Sequence, residues 1–397
     1  MSHSNQSASK WRPRTRQVRA GLSRTGFSET SEALFMNSGY VYGTAQEAEE
    51  SFDGTRDRMV YSRFKNPTVA VFEERLAAIE GAEAARATAS GMAAVHAALM
   101  CQVRAGDRVV AANALFGSCH WIINDLMPRF GIEVEFVDGT DLDAWRRALA
   151  RPAKVVFLET PSNPTLELID LPAVSALAHA AGATVVIDNV FATPILQSPL
   201  ELGADVVVYS ATKHIDGQGR CLGGAVLGSE AFCTDVLGPY LRHTGPAMSP
   251  FNAWVLLKGL ETLALRVERA CANADRVARF LEGHAKIART LYPGLASHPQ
   301  HALAASQMRG FGTMVAFELK GGKAEAYRLL DALELIDISN NLGDAKSLIC
   351  HPWTTTHQRL TPEQKLSMGI GEGMLRLSVG LEDVDDLIDD LAAALGK

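Results

Sequence analysis

Four side chains near the middle of the chain could do chemistry together: Asp188, Ser210, Thr212 and Lys213. Asp188 closes the apolar run "TVVID", and Lys213 follows the run "DVVVYS". Asp188 and Lys213 lie 25 residues apart, about one strand–crossover–strand unit, so both can project into one crevice beyond the strand ends. An acid and a lysine so placed could simply form a buried ion pair. The hydroxyls add something else. In extended backbone Ser210 and Thr212 point one way and Lys213 the other. Two hydroxyls can bind a phosphate while the amine reaches a neighbouring atom of the same ligand. Glycines at 217, 219, 223 and 224 would let backbone approach that ligand closely. "TASGMAAVHAALM" (88–100) offers a second anion site. Ser90 and Gly91 open a helix there, with backbone N–H groups and the positive dipole end available; alone, such a start is also just a capped helix.

A ligand with one phosphate, an aldehyde for the lysine and a ring nitrogen for the aspartate is pyridoxal 5′-phosphate. A lysine imine with an acid facing the ring nitrogen is how proteins hold this cofactor. The acid keeps that nitrogen protonated, and the ring then draws electrons from the atom next to the imine.

The elements around these residues fit an α/β fold. "NPTVAVFEERLAAIEG" reads as a helix with Pro67 in its first turn, one apolar face (Val69, Phe72, Leu76, Ile79) and Gly81 as its stop. Short apolar runs then alternate with helical stretches: "DRVVAANA", "IEVEFVD", "KVVFLE", "TVVID", "DVVVYS" and "GGAVLG", with "LPAVSALAHAAG" a helix closed by Gly182. This alternation implies a mostly parallel sheet covered on both faces. The strand ends are the places to inspect, and Glu159, ahead of "TPSNP", is another polar one. From about residue 250 one long helical pattern, kinked near Gly259, leads to "GTMVAFELK", "MLRLSVGLE" and a closing acidic helix, a second and smaller domain. The division expected is an arm at 1–60, a cofactor-binding domain at 61–258 and a C-terminal domain at 259–397.

The bulk numbers exclude several classes. The 397 residues are 47% hydrophobic and 21% charged, ample for a large core. A net charge of −7 gives no reason to expect nucleic acid or an anionic membrane as partner. No apolar run reaches the roughly 20 residues that span a bilayer. Six scattered cysteines without a CxxC pair read as reduced thiols, which points to the cytoplasm. His351 and His357 flank "PWTTT" without an evident third ligand, so no metal is expected. His214 could tune its neighbour Lys213 or simply pack, and Cys119 and Cys221 could line a site or be small buried side chains. Residues 1–24 carry six basic residues and no acid, as a flexible or subunit-crossing arm or an organelle transit peptide would.

The blocks "YSRFKNPT", "SGM", "ETPSNP", "VIDN", "SATKHIDGQGRCLGG", "SPFNAWVLLKGLETL" and "RLSVGLED" resemble, in order, the trans-sulfuration (Cys/Met metabolism) family of pyridoxal-phosphate enzymes. The resemblance runs from about residue 20 to the end. It implies the aspartate-aminotransferase-like fold (fold type I) and a homotetramer built as a dimer of dimers. It implies that Lys213 carries the cofactor, Asp188 faces the ring nitrogen and Asn163 bonds the ring hydroxyl. Ser90, Gly91, Met92, Ser210 and Thr212 would hold the phosphate, and Tyr61 and Arg63 would reach the phosphate in a neighbouring subunit. Arg376 would clamp the substrate carboxylate in a two-pronged bond.

Two departures narrow the reaction. Where most members have a tyrosine stacked on the ring, this chain reads "LFGSC", with Phe116; where many have "SLGG", it reads "NLGD", with Asn341 near the substrate carboxylate. Phe116 can stack but has no hydroxyl to donate or take a proton. A carboxylate leaves without much acid help, whereas a thiolate benefits from it. Together with "HIDGQGRCLGG" and "CHPWTTTHQRL", these blocks look most like the branch that replaces the succinyl group of O-succinylhomoserine by sulfide, giving homocysteine. A cystathionine γ-synthase, an O-acetylhomoserine sulfhydrylase, a γ-lyase and a non-catalytic cofactor-binding protein are the alternatives.

Overall fold

Short, largely apolar runs form most of the strands described in this chain, and side-chain caps such as Asn66, Ser90 and Asp170 open several of its helices. The computed structural model describes residues 11–396; the first ten residues of the basic arm lie outside the described residues. In chain order the strands are β1 (Ala84–Thr88), β2 (Arg108–Ala112), β3 (Glu133–Val137), β4 (Val155–Glu159), β5 (Thr184–Asp188), β6 (Val206–Ser210), β7 (Gly224–Gly228), β8 (Ile287–Leu291), β9 (Met314–Leu319), β10 (Asp337–Ile338), β11 (Leu348–Cys350) and β12 (Met374–Ser378). The chain divides into two compact units. One comprises Met1–Cys101, Val208–Thr212 and Arg220–Glu261; the other comprises Gln102–Val207, Lys213–Gly219 and Thr262–Lys397.

In the first unit, β1 pairs antiparallel with β7, from Ala84↔Gly228 to Thr88↔Gly224. The helix Pro67–Glu80 starts at Asn66, whose side chain accepts the N–H groups of Thr68 and Val69, and stops at Gly81 with φ +88°, a conformation that favours glycine. Phe72 and Leu76 are fully buried on its inner face. Each contributes on the order of 2 kcal/mol of hydrophobic stabilisation. The same helix buries Arg75, which donates to Ala20 O at 2.9 Å and pairs with Glu32; Glu32 also pairs with Lys258. A buried guanidinium is tolerated only with such partners, and these fasten the segment around residues 20–32 onto two helices.

In the second unit, β3, β2, β4 and β5 lie side by side and all parallel. Every residue of β2 and β4 is buried. This is why those runs read as continuously apolar rather than alternating. Val110, Val156, Leu158, Val185 and Ile187 pack with Trp145, Leu171, Val174 and Ala178 from flanking helices. A second sheet runs β10-β11-β12-β9-β8, antiparallel except for β10 with β11. The helices Leu263–Glu282, Gly322–Ala332 and Val384–Gly396 cover it through Val277, Leu281, Leu329, Leu387 and Leu391. The expected α/β class, with a mostly parallel sheet and a second, smaller sheet, is met.

Two local expectations change. The long helical pattern breaks at Thr262 rather than bending at Gly259: the helix Pro250–Glu261 ends, Thr262 sits at φ −113°, ψ 6°, and Leu263–Glu282 begins. Gly259 packs inside the first of these helices, whereas Thr262 Oγ1 accepts from Arg266 Nε at 3.2 Å. A threonine so engaged competes with the helical backbone. The strand expected over "DVVVYS" ends at Ser210 as read, but the extended backbone used to orient Thr212 and Lys213 does not continue: residues 211–216 coil into turns and Gly217 N–H closes back on Lys213 O at 2.8 Å.

Candidate active site

The residues singled out in the sequence fall into two sets, one in each unit. In the first unit, Ser90 is the N-cap of the helix Gly91–Met100, its hydroxyl accepting from Ala93 N–H at 3.2 Å. The N–H groups of the first turn, Gly91 and Met92 among them, have no partner inside the helix. Ser210 ends β6 directly against this turn: a Cβ on Gly91 would lie 2.6 Å from Ser210 Cβ and 2.7 Å from its Oγ. Only glycine fits there. Thr212 is held in place by Gly223, whose N–H donates to Thr212 Oγ1 at 3.1 Å. A Cβ on Gly224 would lie 2.2 Å from Ser90 O. The "SGM" block, the strand end and the Gly-rich stretch thus interlock into a cradle of hydroxyls and amides suited to a phosphate.

Tyr61 and Arg63 stand exposed on the same unit. The Arg63 guanidinium lies 5.3 Å from the Tyr61 ring centre and donates to Arg242 O.

In the second unit, Asp188 and Glu159 terminate neighbouring parallel strands directly opposite each other. Both are buried. Asp188 Oδ1 accepts Val190 N–H at 3.0 Å, and Glu159 Oε2 accepts Phe116 N–H at 2.8 Å. Burial raises the Asp188 carboxyl above its usual range; burial and the adjacent Asp188 push Glu159 higher still. Two buried acids side by side call for a cationic or hydrogen-donating ligand. Phe116, half-buried, is the N-cap of the short helix Gly117–Trp121.

Lys213 Nζ donates to Asn341 Oδ1 at 2.6 Å. Burial, and then the charge of Arg376, lower the lysine pKa, so more of the amine is neutral and able to act as a base or nucleophile. Arg376 lies in the middle of β12, 2% exposed. Its Nη1 donates to Asn163 Oδ1 at 2.9 Å and its Nη2 to Asn340 O at 2.8 Å, while Nε meets no hydrogen-bond partner among the described residues. A buried guanidinium with an unused donor is the side chain expected where an anion is to be taken up. Within the second unit, Lys213, Asp188 and Arg376 have the chemistry needed for the aldehyde, ring nitrogen and substrate carboxylate that the resemblance implies for them; within the first, the cradle has that needed for a phosphate.

Other residues behave more plainly. His214 is buried, with Nε2 2.8 Å from Thr313 Oγ1 and Nδ1 unpartnered among the described residues. Burial and the nearby Arg266 charge hold its pKa down at about 3. Cys119 is buried near Asp188 and Glu159, and burial first of all keeps its thiol protonated. Among the described residues no cluster of three or more His, Cys, Asp or Glu could hold a metal ion, and no helix is long and apolar enough to cross a membrane.

Sequence reading missed two contributors. Glu159 stood out only as a polar strand end; its twin relation to Asp188 was legible as two parallel-strand runs each closing on an acid. Arg266 gave no signal at all. Its Nη1 donates to His214 O at 2.7 Å and its Nη2 to Ile215 O at 3.2 Å, which pins the turn that follows Lys213. Gly217, at φ +68°, makes room for this arm, since a Cβ there would lie 1.9 Å from Arg266 Nη1.

The family model described as "Cys/Met metabolism PLP-dependent enzyme" matches residues 14–396. An O-succinylhomoserine sulfhydrylase of Mycobacterium tuberculosis is 59% identical over 382 residues, 95% of this chain and 94% of that protein. One from Pseudomonas aeruginosa is 50% identical over 381 residues, 96% of this chain and 94% of that protein. An L-methionine gamma-lyase of Fusobacterium nucleatum is 41% identical over 385 residues, 96% of this chain and 98% of that protein. Among solved structures, a Campylobacter jejuni protein containing N′-pyridoxyl-lysine-5′-monophosphate aligns with a TM-score of 0.94 at 33% identity, over 98% of this chain and 100% of that one.

Proposed function

The chain belongs to the Cys/Met metabolism PLP-dependent enzyme family, and from that premise we propose that it replaces the succinyl group of O-succinyl-L-homoserine by sulfide, giving homocysteine for methionine biosynthesis. The observation that carries this reading is the 59% and 50% identity, over nearly the whole chain, to two O-succinylhomoserine sulfhydrylases. Phe116 supports it independently, because a carboxylate departs without the proton a ring-stacking tyrosine could donate.

Pyridoxal 5′-phosphate, when bound, supplies an aldehyde for amino groups and a ring that draws electrons from the substrate α-carbon. The chain's own residues do the rest. Ser90, Ser210, Thr212 and the amides of Gly91 and Met92 hold the phosphate. Asp188 keeps the ring nitrogen protonated, Asn163 bonds the ring hydroxyl and Phe116 stacks on the ring. Arg376 takes the substrate α-carboxylate, its orientation fixed by Asn163 and Asn340. Lys213 would anchor the cofactor, and its amine would move protons at the substrate Cα and Cβ. Its lowered pKa leaves more of the amine neutral for that task, and Asn341 aims it. Tyr61 and Arg63 reach the phosphate of a neighbouring subunit in a homotetramer built as a dimer of dimers, assembled in the cytoplasm.

The deciding experiment supplies purified protein with O-succinyl-L-homoserine and either sulfide or cysteine, then repeats it with the acetyl ester. Homocysteine from the succinyl ester is the expected dominant product. Faster formation of cystathionine, faster use of the acetyl ester, or faster cleavage of methionine would replace this reading with one of the related activities.

A further inference from the structure

Glu159 closes β4 with a side chain that none of the roles above uses. It is 4% exposed and lies opposite Asp188 in the parallel pairing of β4 with β5. Its Oε2 receives the backbone N–H of Phe116 at 2.8 Å. The charged and titratable groups that act on it are Asp188 from β5 and Arg376 from β12, with Cys119 beside the pair from the helix after Phe116. One carboxyl therefore borders the acid assigned to the ring nitrogen, the arginine assigned to the substrate and the loop that carries the stacking ring. Two carboxyls this close and this buried do not both ionise. Asp188 has the Val190 N–H to stabilise its charge and a cationic ring nitrogen to face. Glu159 has the backbone N–H groups of Phe116 and Asn163 and the charge of Arg376 beside it, but no cationic ring atom to face, so with the ring in place the shared proton belongs on Glu159.

We propose that Glu159 is a positioning residue: a neutral carboxyl that fastens the Phe116 loop and leaves the negative charge on Asp188. A neutral carboxyl still accepts the Phe116 N–H through its carbonyl oxygen. This rests on the reading that the chain binds pyridoxal 5′-phosphate with Phe116 on the ring and Asp188 at its nitrogen.

The test strips the cofactor from wild type, Glu159→Gln and Glu159→Ala, then titrates pyridoxal 5′-phosphate back. Uptake is followed by visible absorption and by the circular dichroism induced in the same band. Glutamine keeps an uncharged oxygen acceptor, so Glu159→Gln should bind within about threefold of wild type and keep the dichroic signal. Glu159→Ala should bind about tenfold more weakly and lose most of that signal. Ala behaving like wild type overturns the proposal. So does Gln failing as badly as Ala, because charge rather than an acceptor would then be required. Thermal unfolding of each apoprotein identifies a variant that has lost its fold. Should Ala do so, the pair Phe116→Ala and Phe116→Ala with Glu159→Gln decides: equal cofactor affinity, within about threefold, supports the proposal, and a further loss of about tenfold overturns it. A wild type that takes up no cofactor would instead remove the reading beneath the proposal.

Discussion

The amine of Lys213 is held 2.6 Å from the side-chain oxygen of Asn341. Asn341 is uncharged, so it aims the amine without drawing it back to the protonated form as a carboxylate would. Asn341→Ala should lower kcat about tenfold with little change in cofactor uptake. Asn341→Asp places a negative charge beside the amine and raises its pKa. The acidic limb of the kcat–pH profile should then move to higher pH, which steady-state rates across pH would show.

Lys213→Ala should abolish turnover, by more than about a thousandfold, together with the visible band of covalently held cofactor. Absorption spectra and rates on one preparation suffice, and surviving turnover would sink the assignment of this lysine.

Arg376 offers a planar fork of donors that lysine cannot reproduce. Arg376→Lys should cost about a hundredfold in kcat/KM for the amino-acid substrate, chiefly through KM. Asn163 loses its partner in the same change, so some weakening of cofactor affinity is expected alongside.

Phe116→Tyr adds a hydroxyl where the chain has none. Elimination from methionine or cystathionine, which expel thiolates, should rise relative to succinyl replacement. Product ratios measured on both substrate types check this, and an unchanged ratio would disconnect the leaving group from this position.

His214 makes stability depend on pH. Its pKa is about 3 in the folded chain and near 6.5 when unfolded, so between those values the unfolded state binds the extra proton. Stability is complete above about pH 6.5 and falls as the pH drops towards 3. From pH 7 to pH 5 the loss is on the order of 2 kcal/mol. Unfolding midpoints for wild type and His214→Asn should diverge as the pH falls, the variant showing the shallower decline.

Asp188 and Lys213 were legible as candidates because one closes an apolar run and the other follows one closely, and parallel sheets present such ends to ligands. The helix start at Ser90 and Gly91 was legible for the same local reason, an N-cap followed by a glycine. Less legible was the shape after Ser210, where alternation was extended into residues that coil into turns. Alternation reports a strand only while neighbouring strands hold the backbone straight. Contacts between distant segments were not legible either. Asn341 and Lys213 are 128 residues apart, and Arg376 and Asn163 are 213 apart. Block resemblance marked these residues, but their pairing is a property of the folded chain and leaves no local signal. The break at Thr262 was misplaced by three residues because a glycine was trusted over a threonine whose hydroxyl engages Arg266.

Gly91 and Ser210 approach so nearly that a single hydrogen atom separates a helix from a strand end. The amides proposed to hold a phosphate are therefore fixed by main chain, not by side chains that swing between rotamers. Such a receptacle exists before its guest arrives, and little ordering entropy remains to be lost on uptake. A methyl group at position 91 would wedge the two elements apart and blunt anion capture without removing one polar atom.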